Sequence, residues 1–163
     1  MTDNISKEHR SWIMSRVPSR NTTPERIVRS VLHRMGYRFR LHVKGLPGKP
    51  DIVLRKHNLV IFVHGCFWHK HQGCKISHIP KSNTGFWLDK FEKNVHRDRE
   101  KQRELIELGW RVEKIWECQA RDWSKLFSRL CEIFPLMFDL NKSLERQEAG
   151  EIQEFIEAMG TMK

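Results

Sequence analysis

The chain has no long hydrophobic run and no apolar segment at its N-terminus. The apolar run Leu59 to Val63 spans five residues, whereas a membrane-spanning helix needs about 20. Met1 to Ile5 contain no apolar signal core. These absences predict a cytoplasmic protein without a membrane partner.

Cysteine and acidic residues are also scarce. The 163 residues include four Cys, and 20 Asp and Glu stand against 30 Lys and Arg, which gives a formal net charge of +10. Four cysteines in a cytosolic protein argue against disulfides and for metal binding or core packing. A domain this basic is typical of proteins that bind a polyanion, most often nucleic acid. Six Trp add surfaces that can stack on bases.

The length is sufficient for one domain with a core and too short for two. Residues 1–22 are polar and basic, which predicts an N-terminal arm that contacts DNA. Trp12, Ile13 and Met14 within it either tether the arm to the domain or act as a wedge in a DNA groove. Residues 23–134 form the predicted domain, and residues 135–163 a peripheral C-terminal segment with a helix around Ile152 to Met159.

Three helices are predicted inside the domain. The first begins near Thr23, taken as its N-cap, with Pro24 at the first helical position, and ends at Gly36. The second runs from Gly85 to Leu108, and the third from about Asp122 to Phe134. The predicted inner face of the second helix consists of Leu88, Phe91, Val95, Asp98, Gln102, Leu105 and Ile106.

Strands are predicted between these helices. Tyr37 to Val43 alternates in strand fashion, Asp51 to Leu54 and Leu59 to Val63 form a hairpin, and Trp110 to Trp116 is a further strand.

The hairpin has a calculable register. If its turn centres near His57, residue numbers of opposed positions sum to about 114, which sets Asp51 opposite Val63. The carboxylate then lies where the partner strand ends and a cysteine- and histidine-rich segment begins.

That segment, His64 to Cys74, is the densest group of metal-binding residue types. Cys131 falls on the apolar stripe of the third helix and is assigned to the core. Cys66, Cys74 and Cys118 then remain for a structural zinc site, which needs a fourth ligand. The fourth is His71, with four residues between it and Cys66 and two between it and Cys74; His64 and His69 compete with it on spacing.

A second centre suits magnesium, which prefers oxygen ligands. Asp51 supplies a carboxylate and Val63 a main-chain carbonyl, while His69 is a candidate base for the attacking water. Plainer interpretations remain beside these. Asp51 after Pro50 is also an ordinary turn residue, and His69 is also an ordinary surface residue. Asp98 is either the partner in a structural ion pair or the residue that orients a catalytic histidine.

An ordered set of motifs resembles the very short patch repair endonucleases from about residue 8 to residue 123. The motifs are Pro47-Gly48-Lys49-Pro50-Asp51, Val60-Ile61-Phe62-Val63-His64-Gly65-Cys66-Phe67-Trp68-His69, Phe86-Trp87-Leu88, Asn94-Val95-His96-Arg97-Asp98, Gly109-Trp110-Arg111-Val112 and Trp116-Glu117-Cys118.

The resemblance implies an α/β fold, with a restriction-endonuclease-like mixed sheet flanked by helices and a structural zinc site. It implies a monomer that nicks duplex DNA, using magnesium, 5′ to the thymine of a T·G mismatch left by 5-methylcytosine deamination. The nucleoid of a prokaryotic cell is the implied location, and mismatch-repair proteins are implied partners.

The resemblance also implies residue roles. Asp51 and the Val63 carbonyl would hold magnesium, His69 would be the general base, and Asp98 would orient it. His64 and Glu25 would assist at the scissile phosphate. Zinc would fall to Cys66, His71, Cys74 and Cys118, and the residues inserted at the mismatch would be Met14, Phe67, Trp68 and Trp87.

Two departures from the family pattern stand out. Val63 replaces a threonine, which keeps the carbonyl and loses the hydroxyl, and Gly73 shifts the third zinc ligand by one residue. The alternative functions are a restriction-type endonuclease without a mismatch requirement and a non-catalytic, zinc-stabilised DNA-binding module.

Overall fold

The structure is a computed structural model that describes residues 20–135 without a break, together with residues 6, 9, 12, 13, 15, 16 and 18. Met14 and the helix predicted around Ile152 to Met159 lie outside the described residues. The division into an arm, a domain and a C-terminal segment stays a prediction.

The described chain is an α/β structure, as predicted. Its elements are α1 (Thr23–Arg34), β1 (Ile52–Leu54), a 3-10 turn (Arg55–His57), β2 (Leu59–His64), α2 (Thr84–Glu107), β3 (Arg111–Trp116), α3 (Glu117–Ala120) and α4 (Trp123–Ile133). The sheet is mixed, because β1 is antiparallel to β2 whereas β3 is parallel to it. Helix α2 belongs to the crossover that a parallel pair requires.

Apolar side chains cover both faces of the sheet. On one face, α1 and α4 pack on the odd-numbered positions of β2, with Ile27, Leu32, Leu59, Ile61, Ile115 and Leu130 among the buried residues. On the other face, the C-terminal part of α2 contributes Leu105 to a smaller cluster with Val53, Val60 and Phe62. Because side chains alternate along a strand, His64 extends to the α2 side, as Phe62 does.

The start of α1 differs from the prediction by one residue. Thr22, not Thr23, is the N-cap, and its hydroxyl donates to Glu25 Oε1 at 2.8 Å. Pro24 therefore occupies the second helical position, where its missing N–H is equally harmless. Gly36 follows the helix with φ +83°, the left-handed conformation that ends many helices.

The hairpin register is also shifted by one. Ile52 pairs with Ile61 and Leu54 with Leu59, so paired numbers sum to 113, because the 3-10 turn ends at Asn58 in the left-handed region. Asp51 precedes β1 and does not pair within it. The predicted contact survives the shift, since the Val63 amide donates to Asp51 Oδ2 at 2.8 Å.

The strand predicted at Tyr37 to Val43 is wrong apart from one bridge. Arg40 pairs with Val53 and no longer strand forms there. His42 has φ +49°, which turns the chain away from the sheet.

The predicted helix faces need two corrections. Leu88 and Ile106, expected inside α2, are 46% and 61% exposed. Trp87 and Leu105 take the inner positions instead. Leu88 lies about 100° around the helix from Trp87, and Ile106 lies about 100° from Leu105. Cys131, expected in the core, is only partly buried on α4.

No helix within the described residues is long and apolar enough to cross a membrane.

Candidate active site and metal centre

The segment from His64 to Cys74 folds as a series of tight turns at the end of β2. The His69 amide donates to the Gly65 carbonyl at 3.2 Å, and the His71 amide to the Cys66 carbonyl at 3.1 Å. A side chain on Gly65 would bring its Cβ within 3.3 Å of the Trp68 ring, so the turn favours glycine. These turns send the histidines of one segment to two different centres.

The first centre joins His64, His69 and Asp98, whose ligand atoms lie within 4.8 Å of one another. His69 Nδ1 is hydrogen-bonded to Asp98 Oδ2, which reaches in from the inner face of α2. The rings of His64 and His69 stack with centroids 3.9 Å apart and planes inclined by 15°. The structure thus gives Asp98 the histidine partner that its position on a packed face requires.

The electrostatics of this centre fix two protonation states. Burial lowers the pKa of His64 to about 3, with the neighbouring His69 adding to the effect, so His64 is neutral near pH 7. Burial alone would raise the pKa of Asp98, but the hydrogen bond and charge of His69 outweigh it and lower that pKa. Asp98 is therefore an anion beside His69.

Asp51 is half of the predicted magnesium site. Burial raises the pKa of its carboxyl group to about 6, against the lowering effect of the hydrogen bond from the Val63 amide. The charge of Glu25 raises the pKa of Asp51 further, and the charge of His69 lowers it. Asp51 is therefore close enough to both residues for their charges to affect it.

Glu25 is 3% exposed and fully engaged in local contacts. It accepts hydrogen bonds from the Asn21 amide at 2.9 Å and from Arg29 Nη2 at 2.7 Å. The contacts cap α1 and neutralise the buried carboxylate. This geometry accounts for Glu25 structurally, and its proposed assistance to catalysis stays a prediction.

The second centre joins Cys66, His71, Cys74 and Cys118, again with ligand atoms within 4.8 Å of one another. His71 Nδ1 lies 3.5 Å from Cys66 Sγ and 3.4 Å from Cys118 Sγ. Cys118 reaches the cluster from α3, which follows β3. Because β3 runs parallel to β2, the two strands end side by side. The cluster residues that follow each strand therefore lie at the same end of the sheet.

The donor set of the second centre fits zinc. Tetrahedral zinc with ordinary bond lengths separates a sulfur and a nitrogen ligand by about 3.6 Å, close to both measured separations. Burial raises the pKa of the Cys66 thiol to about 12, so a bound cation is what would make it a thiolate at neutral pH. The Cys118 amide also points at Cys66 Sγ, 3.4 Å away.

Three aromatic residues named as mismatch-reading side chains come together beside these centres. Phe67 lies edge-on to Trp68, with centroids 5.1 Å apart, and to Trp87, at 5.3 Å. Phe67 and Trp68 are partly exposed, whereas Trp87 is 6% exposed. Phe86, adjacent to Trp87, is 60% exposed. Met14 lies outside the described residues.

Two further features were not found from the sequence. Glu117 lies close to the backbone amide of Cys66, with its Oε2 3.4 Å from the amide nitrogen. The only sequence signal for this position was that Glu117 is adjacent to Cys118. Trp116 contacts both centres, which no local pattern reveals.

Comparison with known proteins gives a consistent result. The family model described as DNA mismatch endonuclease Vsr matches residues 2–75. The chain is 52% identical over 133 residues to "Type II nicking enzyme V.XorIIP" of Xanthomonas oryzae, covering 82% of this chain and 97% of the relative. It is 46% identical to "Type II nicking enzyme V.NmeAIP" of Neisseria meningitidis over 75% of this chain and 86% of the relative.

A third relative carries a different name. The chain is 44% identical over 126 residues to "DNA mismatch endonuclease Vsr" of Escherichia coli, covering 77% of this chain and 80% of that relative.

Proposed function

This chain belongs to the DNA mismatch endonuclease Vsr family, and on that premise we propose that it nicks duplex DNA 5′ to the thymine of a T·G mismatch. The relatives' printed names supply mismatch endonuclease and nicking activity. The position of the nick and the origin of the mismatch in 5-methylcytosine deamination are part of the proposal.

The observation that carries it is the His69–Asp98 pair beside Asp51. With Nδ1 of His69 donating to the Asp98 carboxylate, the other ring nitrogen keeps a lone pair that can accept a proton from water. His64 covers one face of the His69 ring and limits its rotation. Neutral at physiological pH, His64 adds no positive charge that would oppose protonation of His69.

Magnesium fits the oxygen donors at the end of β2. Asp51 and the Val63 carbonyl would hold it, because magnesium is commonly bound by one or two carboxylates together with substrate phosphate oxygens. The hydrogen bond between the Val63 amide and Asp51 holds these two residues together. When bound, magnesium neutralises charge on the scissile phosphate.

Zinc would have a structural role at Cys66, His71, Cys74 and Cys118. A closed set of four protein ligands leaves no open position for substrate. Its function is to tie the segment after β2 to the segment after β3. The restriction-endonuclease-like classification of the fold is part of the same proposal.

Recognition of the mismatch is assigned to Phe67, Trp68 and Trp87, with Met14 in the arm. A mismatched step is easier to unstack than a matched one, so an inserted aromatic side chain selects it through deformation energy. Trp87 is buried in the free protein and has to become accessible, or act by supporting Phe67. The Lys and Arg side chains that give the net charge of +10 would make the contacts with DNA phosphates.

The remaining assignments follow from this function. The protein would act as a monomer on chromosomal DNA in a prokaryotic nucleoid, before mismatch-repair proteins process the nick.

The test uses duplexes labelled on each strand, identical except for one T·G, T·A or C·G pair, incubated with protein and Mg²⁺. We expect a nick in the thymine strand only, with at least about tenfold preference for T·G, from the cost of one wrong pair. Asp51→Asn and His69→Gln should bind the T·G duplex and leave it intact.

Two outcomes would overturn parts of the proposal. Equal nicking of all three duplexes would establish a nicking enzyme without a mismatch requirement. Binding by the wild type with no nicking under any divalent cation would leave a zinc-stabilised DNA-binding module.

A further inference from the structure

Trp116 has no role in the function proposed above, yet its ring meets both centres. The indole lies flat on His71, with centroids 4.1 Å apart and planes inclined by 7°. The same ring meets His64 edge-on at 5.5 Å and 74°, and His64 stacks on His69. His71, Trp116, His64 and His69 therefore form a continuous column of rings from the cysteine cluster to the base candidate.

The backbone holds Trp116 in this position. It is the last residue of β3 and pairs in parallel with His64, the last residue of β2, so both side chains extend to the same face of the sheet. Its amide donates to Gln119 Oε1 at 2.9 Å. Cys118 follows two residues later.

Trp116 does not behave as an ordinary core residue. It is partly buried and is not among the residues of either apolar cluster. Trp110, the residue immediately before β3, packs against the smaller cluster. Within the part of the chain that the structure describes, its ring contacts neither His64 nor His71. The two tryptophans make a matched pair.

We propose that Trp116 is a positioning residue that transmits the geometry of the cysteine–histidine cluster to His64 and His69. Close packing means that a ring in this column cannot turn or shift unless its neighbours follow. A displacement of about 1 Å in a catalytic group can lower a rate on the order of a hundredfold. The kinetic consequence rests on the proposed nicking activity, whereas the structural one does not.

The experiment compares Trp116→Met, Trp116→Phe and Trp110→Met in the full chain, each purified with its metal. Methionine keeps apolar volume and removes the ring, and phenylalanine keeps a smaller ring. Three quantities are measured: zinc content, the NMR resonances of the His64 and His69 ring protons in the free protein, and the single-turnover nicking rate with the KM for T·G duplex.

For Trp116→Met we expect unchanged zinc content, displaced His64 and His69 resonances, and a nicking rate lowered on the order of tenfold to a hundredfold. KM should stay within about twofold, because the phosphate contacts are intact. Trp116→Phe should recover most of the rate. Trp110→Met should leave the histidine resonances and the rate in place while lowering Tm.

Unchanged His69 resonances in Trp116→Met would overturn the proposal, as would an equal rate loss in Trp110→Met. If Trp116→Met fails to fold, Trp116→Phe decides, since its smaller ring should still displace the resonance of His69, whose ring stacks on His64 rather than on Trp116. A wild type that does not nick refutes the proposed function, and the NMR comparison still decides the role of Trp116.

Discussion

The two centres of this protein take interleaved residues from one segment, His64 to Cys74, and differ in the ligand atoms that they offer. The proposed metal centre consists of Cys66, His71 and Cys74, together with Cys118 from beyond β3. The proposed active site consists of His64 and His69, together with Asp98 from α2. The first offers sulfur and nitrogen ligand atoms, and the second offers nitrogen and oxygen.

The comparison shows how a short segment can serve two purposes. Each centre combines residues of this segment with one residue from a distant element, Cys118 on α3 or Asp98 on α2. A closed set of soft ligands suits stability, and an incomplete set of hard or neutral ligands suits reaction. Substitutions should therefore separate stability from catalysis, in decreasing order of effect as follows.

Cys118→Ser should have the largest effect, because it removes a ligand on which the metal centre depends. We expect zinc content to fall to a small fraction of the wild-type value. The variant should lose a large part of the stabilisation that structural zinc supplies, about 10–16 kcal/mol in zinc-binding peptides. Metal analysis and thermal denaturation measure both. Cys131→Ser, outside the cluster, is the control, and unchanged zinc in Cys118→Ser would remove that residue from the site.

His69→Ala should abolish most of the nicking without harming the metal centre. Loss of a general base lowers a rate by about 10²–10⁴-fold. Zinc content should match the wild type, while Tm should fall because Asp98 loses its hydrogen-bond partner. The control is His96→Ala, because the His96 side chain is 73% exposed on α2. A rate within a factor of about three of wild type would show that His69 is not the base.

Asp98→Asn should reduce the rate less than His69→Ala, by about tenfold to a hundredfold, because the ring remains but its orientation is less well fixed. Its effect on stability should depend on pH. The folded pKa of Asp98 lies below its ordinary value of 3.8, so its stabilising effect is complete above that value and is lost as the pH falls through the lower, folded pKa.

The difference in Tm between wild type and Asp98→Asn should therefore shrink in acid. Asp89→Asn, at an exposed position of the same helix, is the control. A difference that grows as the pH falls would contradict the assignment of Asp98 as an anion held by His69.

Val63→Thr should have the smallest effect. The proposed magnesium ligand is the carbonyl, which the substitution keeps, so the nicking rate should stay within about threefold of wild type. Val63 packs against the larger apolar cluster, and a partly buried hydroxyl should cost about 1 kcal/mol of stability. A rate gain of tenfold or more would show that the hydroxyl takes part in the chemistry.

Much of the fold was predictable because its signals are local. The apolar stripe of α1, the left-handed Gly36 and Gly109 at helix ends, and the apolar run of β2 each follow from a few neighbouring residues. The strand predicted at Tyr37 to Val43 failed because His42 adopts a left-handed conformation, which is uncommon for residues other than glycine and which the neighbouring residues do not indicate.

The candidate site was predictable in composition and less so in geometry. Spacing grouped Cys66, His71 and Cys74, but spacing alone left His64 and His69 as competitors. The structure distinguishes the histidines, because the turns after β2 place His71 beside Cys118 and His69 beside Asp98. Trp116 was missed because its contact with His64 depends on a register between strands about fifty residues apart in sequence.

The most direct test of this division is the zinc content of the His64→Ala/His69→Ala double variant. Because both histidines belong to the active-site centre, the variant should retain the zinc content of the wild type while nicking of the T·G duplex is lost. Loss of zinc together with activity would show that one of these histidines holds the structural metal, and would contradict the separation of the two centres.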